Sequence, residues 1–205
     1  MKMLESITGG PPPLLPRSEV IEMMMEHFER LPELDRKFFH YGPAYLGGNA
    51  AFAGLIANSF YRRALNVTRG RLASSLPMAV LPFITTVAFY DAMVSGPLLS
   101  GDLDCPSCSV FRGALIGVIG GGAYPVLLAL PVNAGLASLY GSAPMPGKAT
   151  ALRFAADISR PVLRRMRPVF VLQALFGGYL GSRHFETYQK LVQIVSGSGA
   201  EELRD

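Results

Sequence analysis

Charged residues are unevenly distributed along the chain, and they leave four uncharged tracts between them. These tracts cover residues 42–61, 72–90, 113–147 and 168–182. A helix that crosses the ~30 Å of hydrocarbon in a bilayer needs roughly 20 apolar residues. The first three tracts meet that length, and none carries the polar stripe that a helix of a soluble bundle presents to water. The pattern therefore predicts an all-α membrane protein.

The fourth tract is shorter than the others. At 1.5 Å per residue its helix covers only ~22 Å, so it spans the bilayer if Arg167 and Arg183 extend their side chains to the membrane surfaces. Otherwise it forms a re-entrant or interfacial helix. The sequence thus predicts a bundle over residues 42–182 of four transmembrane helices, or of three with one re-entrant helix.

Basic residues are concentrated in two of the three loops between the tracts. The loop 61–71 contains four arginines and no acidic residue, and the loop 140–167 contains six basic residues and one aspartate. The loop 95–112 contains two aspartates and one arginine. Because the positive side faces the cytosol, or the matrix in mitochondria, we expect both basic loops there and both termini opposite. Arg36 and Lys37, just before the first tract, favour the reverse orientation.

The segments that flank the bundle have simpler patterns. Residues 1–17 are predicted to be a flexible segment rich in Pro and Gly, without the character of a cleavable targeting sequence. Residues 18–41 are predicted to form an amphipathic helix, either a partner-binding helix or a solvated cap, from an N-cap and apolar residues at helical spacing: Ser18, Ile21, Met24, Phe28 and Leu31. Residues 183–205 are predicted to be a short helix followed by a disordered tail.

Small residues recur at helical spacing in the third tract. Gly113, Gly117 and Gly121 are four residues apart and therefore share one face of a helix. Lipid provides little hydrophobic driving force between helices, so such a ridge is typical of close contact between helix backbones. We predict that the ridge contacts another helix, either a neighbouring span or a helix of another protein.

A small-molecule transporter or channel is the alternative function that the residues suggest. Kinks or breaks, which transporters use around a central site, are predicted at Pro77, Pro82, Pro125 and Pro131. However, the ionisable residue that such a site usually contains is missing from the tracts. Amides that can pair between helices are present instead, at Asn49, Asn58, Asn133 and Gln173.

The two cysteines form a single CxxC motif in the acidic loop. Cys105 and Cys108 are too few for a zinc site of four ligands, and the histidines are scattered along the chain, at His27, His40 and His184. We interpret the pair as a local disulfide or unreactive thiols, with redox chemistry and metal binding as alternatives.

The chain carries no recognisable catalytic constellation. We find no nucleophile with a base, phosphate-binding loop or helical HExxH motif, so we predict no enzymatic activity and no cofactor. Basic residues follow the ends of the apolar tracts, and they form no stripe that would bind nucleic acid.

Several stretches of the chain resemble one known family. They are 55–68 (LIANSFYRRALNVT), 76–79 (LPMA) with 82–86 (PFITT), 101–105 (GDLDC) with Cys108, 131–136 (PVNAGL) and 179–182 (YLGS). In this order, over residues 41–182, they are similar to the transmembrane protein 126 family and most of all to its A paralogue.

The resemblance implies a multi-pass protein of the mitochondrial inner membrane that assists assembly of respiratory complex I (NADH:ubiquinone oxidoreductase). In that family the A paralogue is associated with the distal membrane arm and the B paralogue with an intermediate-assembly complex. The expected partners are membrane subunits of complex I, other assembly factors and the lipid bilayer. The family has no established catalytic residues, so none is carried over to this chain.

Overall fold

Helices form almost all of the chain that the computed structural model describes, residues 17–142 and 150–202. Two π-helical turns, Asp91–Ser95 and Ile119–Ala123, interrupt the longer helices, and these ranges contain no strand. The α-helices are α1 (Arg17–Phe28), α2 (Glu33–Ala64), α3 (Arg71–Tyr90), α4 (Gly96–Leu99), α5 (Pro106–Val118), α6 (Tyr124–Tyr140) and α7 (Ala151–Glu202). The predicted all-α class is confirmed.

Two continuous helices are long and apolar enough to cross a membrane. The first, Arg71–Leu99, joins α3 to α4 through a π-helical turn, and the second, Pro106–Tyr140, joins α5 to α6 in the same way. Their 29 and 35 residues correspond to ~44 and ~52 Å, more than the ~30 Å of hydrocarbon in a bilayer. They overlap the second and third tracts of the sequence, 72–90 and 113–147.

The other two long helices, α2 and α7, complete a four-rod bundle with these two. Helix α2 runs antiparallel to α3, and helix α7 runs antiparallel to α5 and α6. Asn58 near the end of α2 bonds Ser74 near the start of α3, and Ser109 at the start of α5 bonds Gly181 late in α7. Each rod therefore has an antiparallel neighbour along most of its length.

Buried apolar side chains form two large clusters at successive levels of this bundle. One joins α1, α2, the turn after α3, α5 and the late part of α7, and includes Leu46, Tyr90, Ile116, Leu180 and Leu191. The other joins α2, α3, α6 and the early part of α7, and includes Ala57, Tyr61, Met78, Ala129 and Met166. The core is therefore continuous along the rods.

Each π-helical turn ends two residues before a proline. Proline has no N–H to give to the carbonyl four residues earlier. The carbonyl oxygen of Met93, four residues before Pro97, accepts a hydrogen bond from Nη1 of Arg112 at 3.1 Å. That of Gly121, four residues before Pro125, accepts one from Nε2 of Gln173 at 3.3 Å. Side chains of other helices thus compensate the two prolines.

Kinks or breaks are predicted at four prolines; Pro125 follows a π-helical turn, and the other three lie inside helices that are not broken. Helix α3 continues through Pro77 and Pro82, and helix α6 continues through Pro131. Contacts with neighbouring helices accompany these prolines. Pro82 has no N–H to give to the carbonyl of Met78, and this carbonyl packs against Gly54 of α2.

The segment 18–41 is divided between two helices instead of forming one. Helix α1 ends at Phe28 and α2 begins after Pro32, whose ring disfavours a helical conformation at Leu31. Met24 and Leu31 are buried, whereas the glutamates Glu22, Glu26 and Glu29 are exposed. The side chains of Ser18 and Ile21, and residues 1–16, lie outside the described part of the chain.

Helix α7 is much longer than the sequence predicted. Its 52 residues correspond to ~78 Å. Residues 151–167 of the predicted basic loop are helical, and so is the backbone of the predicted tail as far as Glu202. The cause is an apolar face that extends beyond 168–182 in both directions through buried residues: Val162 and Met166, then Phe185, Tyr188, Leu191 and Val195. Lys148 and residues 203–205 lie outside the described ranges.

A buried carboxylate fixes the start of α2 on the late part of α7. Asp35 is 5% exposed. It pairs with Nζ of Lys190 at 2.5 Å and with Nη2 of Arg183 at 3.4 Å. A buried carboxylate is costly unless it is paired, so these two cations make the close approach of α2 and α7 possible.

Candidate functional site

The glycine ridge of α5 lies directly against α7. A Cβ atom on Gly113 would fall on the carbonyl oxygen of Gly177, and one on Gly117 would fall on that of Gln173. Both separations are below 3.0 Å, which real Cβ atoms essentially never show. Gly121 faces the side chain of Gln173. The two backbones are in contact, so residues 113 and 117 must be glycine for this packing.

A matching face on α7, with small residues at Gly177 and Gly181, escaped the sequence analysis. Gly181, Gly177 and Gln173 are also four residues apart, and a Cβ on Gly177 would fall on the carbonyl oxygen of Gly113. Ser109 donates a hydrogen bond to the carbonyl of Gly181 at 2.8 Å. The contact is therefore reciprocal, with the Cα–H of each glycine directed at the carbonyl opposite, worth about 0.5–1 kcal/mol each. The Gly-x-x-x-Gly spacing at 177–181 was the available signal.

Buried amides join three of the rods at the opposite end of the bundle. Asn133 of α6 donates to Oδ1 of Asn58 at 2.8 Å. Asn58 of α2 in turn donates to the hydroxyls of Ser74 and Ser75 of α3, both at 3.2 Å. Tyr61 extends the set to α7 by a 2.8 Å hydrogen bond with Ser159. These amides pair between helices, as their place in apolar tracts predicted.

The cysteine pair lies at the start of α5. Cys105 is the N-cap of the helix, and its sulfur accepts a hydrogen bond from the backbone N–H of Cys108 at 3.3 Å. Both residues are free thiols, and Cys108 is exposed. A hydrogen bond with the Cys108 side chain lowers the pKa of the Cys105 thiol. This geometry suits either a disulfide across one helical turn or a reactive thiolate.

The loop that precedes Cys105 is held against α7. Leu103 is buried in the same apolar cluster as Tyr188 and Leu191. Burial, followed by the charge and hydrogen bond of Asp104, raises the pKa of Tyr188 to about 12. Tyr188 is therefore neutral at physiological pH and can donate to the Asp104 carboxylate. Loop and helix form one unit around the cysteines.

The three histidines lie on α1, α2 and α7, whereas the cysteines lie at the start of α5. His184 is fully buried, stacks on Phe39 and bonds the carbonyl of Phe38 through Nε2 at 3.2 Å. His40 is exposed on α2. In residues 17–142 and 150–202, no three His, Cys, Asp or Glu side chains are grouped as metal ligands.

We expect Gly117→Leu to destabilise the protein. Because the new side chain would start on the carbonyl of Gln173, α5 and α7 must separate, at a cost of at least about 1–3 kcal/mol. The measurement is the thermal midpoint of helical circular dichroism of the detergent-purified protein, together with its steady-state level in cells.

Ile119→Leu is the matched control. Ile119 is 49% exposed and lies away from α7, so the same new side chain should leave both quantities almost unchanged. If both variants behaved like wild type, the ridge would not be in contact with α7.

The chain is similar to named proteins over most of its length. Transmembrane protein 126A of Mus musculus is 49% identical over 175 residues, which cover 85% of this chain and 89% of that protein. The Homo sapiens protein of the same name is 48% identical over 165 residues, 80% and 85% of the two chains. The Homo sapiens protein called Complex I assembly factor TMEM126B, mitochondrial, is 31% identical over 198 residues, 94% and 85% of the two chains.

No solved structure matches this fold. The family model described as Transmembrane protein 126 matches residues 18–198, which include both candidate spans, the glycine ridge and the cysteine pair. The chain therefore belongs to the transmembrane protein 126 family.

Proposed function

We propose that this protein is an assembly factor of the mitochondrial inner membrane that binds membrane subunits of respiratory complex I before they join the enzyme. The observation that carries the proposal is membership of a family in which a relative, 31% identical, is named as a mitochondrial complex I assembly factor. The fold supports a binding role, because the close contacts among the described residues are contacts between helices, as at Gly113 with Gly177 and Asn58 with Asn133.

We further propose that all four rods of the bundle span the membrane. Gln173 of α7 lies beside Gly117, inside the span α5–α6, and α2 packs along α3. At that level both helices expose large apolar side chains: Tyr45, Phe52 and Ile56 on α2, and Val171, Leu172, Leu175 and Tyr179 on α7. Apolar surface of this extent is unfavourable in water and favourable in lipid.

The charges support one orientation of these spans. The end of α2, the loop 65–70, the start of α3 and residues 151–167 of α7 lie at one end of the bundle and contain nine arginines. We place this end in the matrix and the loop with Cys105 and Cys108 in the intermembrane space.

An open apolar groove on α7 is the surface we assign to the client subunit. It has a volume of about 600 Å³ and is lined by Pro168, Val171, Leu172, Leu175, Phe176 and Tyr179. Its lining is apolar, and Val171, Leu172, Leu175 and Tyr179 are exposed on the described chain, so it suits an apolar helix. A membrane subunit that has not yet met its neighbours would supply such a helix.

Loss of the protein is expected to lower assembled complex I and to spare complexes III and IV. The reason is that unassembled membrane subunits would lack a helix to cover their apolar faces. Native gels of mitochondria from null cells measure this directly, and normal complex I in those cells would contradict the proposal.

Rescue of the null cells separates the groove from the rest of the lipid-facing surface. Leu175 in the groove and Leu127 on α6 are both 70% exposed, so they offer matched positions for the same bulky residue. We expect Leu127→Trp to restore complex I and Leu175→Trp to fail at an equal protein level. Equal rescue by both variants would show that the groove is not the binding surface for the client subunit.

The orientation predicts the accessibility of the cysteines. In mitoplasts with an intact inner membrane, an impermeant maleimide should label Cys105 and Cys108 after reduction and label them weakly before it, because we expect the pair to form a disulfide in the intermembrane space. The chain contains two cysteines, so all labelling reports on this pair.

A cysteine at the opposite end of the bundle is the control. Thr68→Cys, in a chain whose own cysteines are replaced by serine, should react only after the inner membrane is opened. The reverse pattern of labelling would show that the orientation is opposite to the one proposed.

A further inference from the structure

A polar cavity of about 530 Å³ lies where α2 ends and α3 begins. Three arginines line it: Arg62, Arg63 and Arg71. The remaining lining is almost entirely uncharged and able to form hydrogen bonds, at Asn58, Ser59, Asn66, Thr68 and Ser75, with Val67 as the one apolar residue. The cavity is thus strongly positive, with donors on several sides.

The positive charge of this cavity is not neutralised by the described chain. In residues 17–142 and 150–202, none of the three cavity arginines forms an ion pair with a carboxylate. Three guanidinium groups that line one cavity repel each other. An anion in the cavity would remove that cost.

The cavity wall is held in a defined conformation. Arg62 donates to the hydroxyl of Ser74 at 2.9 Å and to the carbonyl of Arg69 at 2.9 Å. Asn66 has a positive φ of 53°, and Gly70 has one of 65°, so the loop turns back sharply between the two helices. The N–H of Val67 bonds the carbonyl of Arg62 at 2.9 Å and closes this turn. Arg62 therefore serves the fold, whereas Arg63 and Arg71 are exposed side chains that are available to a ligand.

A second cavity of about 260 Å³ adjoins the first through Arg63. It lies between α2 and α7, and apart from Arg63 and Arg165 its lining is apolar, from Phe60, Ala64, Pro161 and Val162. Arg165 lies over the ring of Phe60, 5.8 Å from its centroid. A charged chamber and an apolar chamber thus share one arginine.

We propose that these chambers form a binding site for a phosphate group. Arginine presents several N–H groups in a planar fork that matches phosphate oxygens, and the hydroxyl and amide groups of Thr68, Ser75 and Asn66 supply further donors. An anionic phospholipid suits both chambers, with its phosphate among the arginines and an acyl chain along the apolar wall. Soluble phosphate carries the same chemistry but would leave the apolar chamber unused.

The test uses the purified full-length protein in detergent. Native mass spectrometry measures retention of added phosphatidylglycerol, with phosphatidylcholine as the zwitterionic reference. We expect Arg63→Gln/Arg71→Gln to weaken phosphatidylglycerol binding about tenfold or more, because two charge-assisted contacts are lost. Circular dichroism checks that the variant retains its helical fold. Arg62 is not replaced, because its hydrogen bonds hold the loop between α2 and α3.

The control removes the same charge from the same end of the bundle. Arg153 and Arg160 are exposed on α7 and line neither chamber, so Arg153→Gln/Arg160→Gln should leave lipid binding within about twofold of wild type. Equal weakening in both double variants would mean diffuse attraction to the lipid surface and would overturn the site.

A second arm distinguishes the two sources of phosphate. Inorganic phosphate at millimolar concentration is added, and the thermal midpoint is compared between wild type and Arg63→Gln/Arg71→Gln. Stabilisation of wild type alone, without selective retention of phosphatidylglycerol, would assign the site to a soluble phosphate. If neither ligand distinguished the cavity variant from the control variant, the proposal would be wrong.

Discussion

The fold depends on the direct contact between the backbones of α5 and α7. At Gly113 and Gly177 each Cα faces the carbonyl of the other helix, and there is no room for a methyl group on either side. Within a bilayer the hydrophobic effect does little to hold helices together, so stability must come from close packing and polar contacts. This contact brings Gln173 to Gly121 and Ser109 to Gly181, which places the rest of α7 along the bundle.

The polar contacts of the interior follow from the same constraint. In lipid, every backbone N–H and C=O group must find a hydrogen-bond partner within the protein, and each proline removes one N–H donor. Side chains of neighbouring helices replace these donors: Arg112 donates to the carbonyl of Met93, and Gln173 donates to that of Gly121. Amides and hydroxyls join the rods elsewhere, as between Asn58 and Asn133. Large apolar side chains remain on the outer surface, which suits contact with lipid.

The sequence predicted the two candidate spans and the shared helix face of the glycines, because each depends on local spacing. Charge-free tracts gave α3 and α5–α6, and the four-residue repeat placed Gly113, Gly117 and Gly121 on one face. It missed what depends on distant partners. Asp35 pairs with Lys190, 155 positions later in the chain. The arginines of 140–167 suggested a loop, because the apolar face of Val162 and Met166 is evident only when these residues pack against α2 and α6. The two cavities that share Arg63 likewise combine residues of three helices.

A disulfide cross-link between α5 and α7 tests the central contact most directly. A Cβ on Gly178 would lie 3.6 Å from that of Ala114, within the range for a disulfide. In a chain with Cys105 and Cys108 replaced by serine, oxidation of Ala114→Cys/Gly178→Cys should protect both thiols from maleimide, as read by mass spectrometry. Leu115→Cys/Gly178→Cys should remain reactive, because Leu115 is exposed on another face. Reactive thiols in the first pair, or equal protection in the second, would contradict the antiparallel glycine contact.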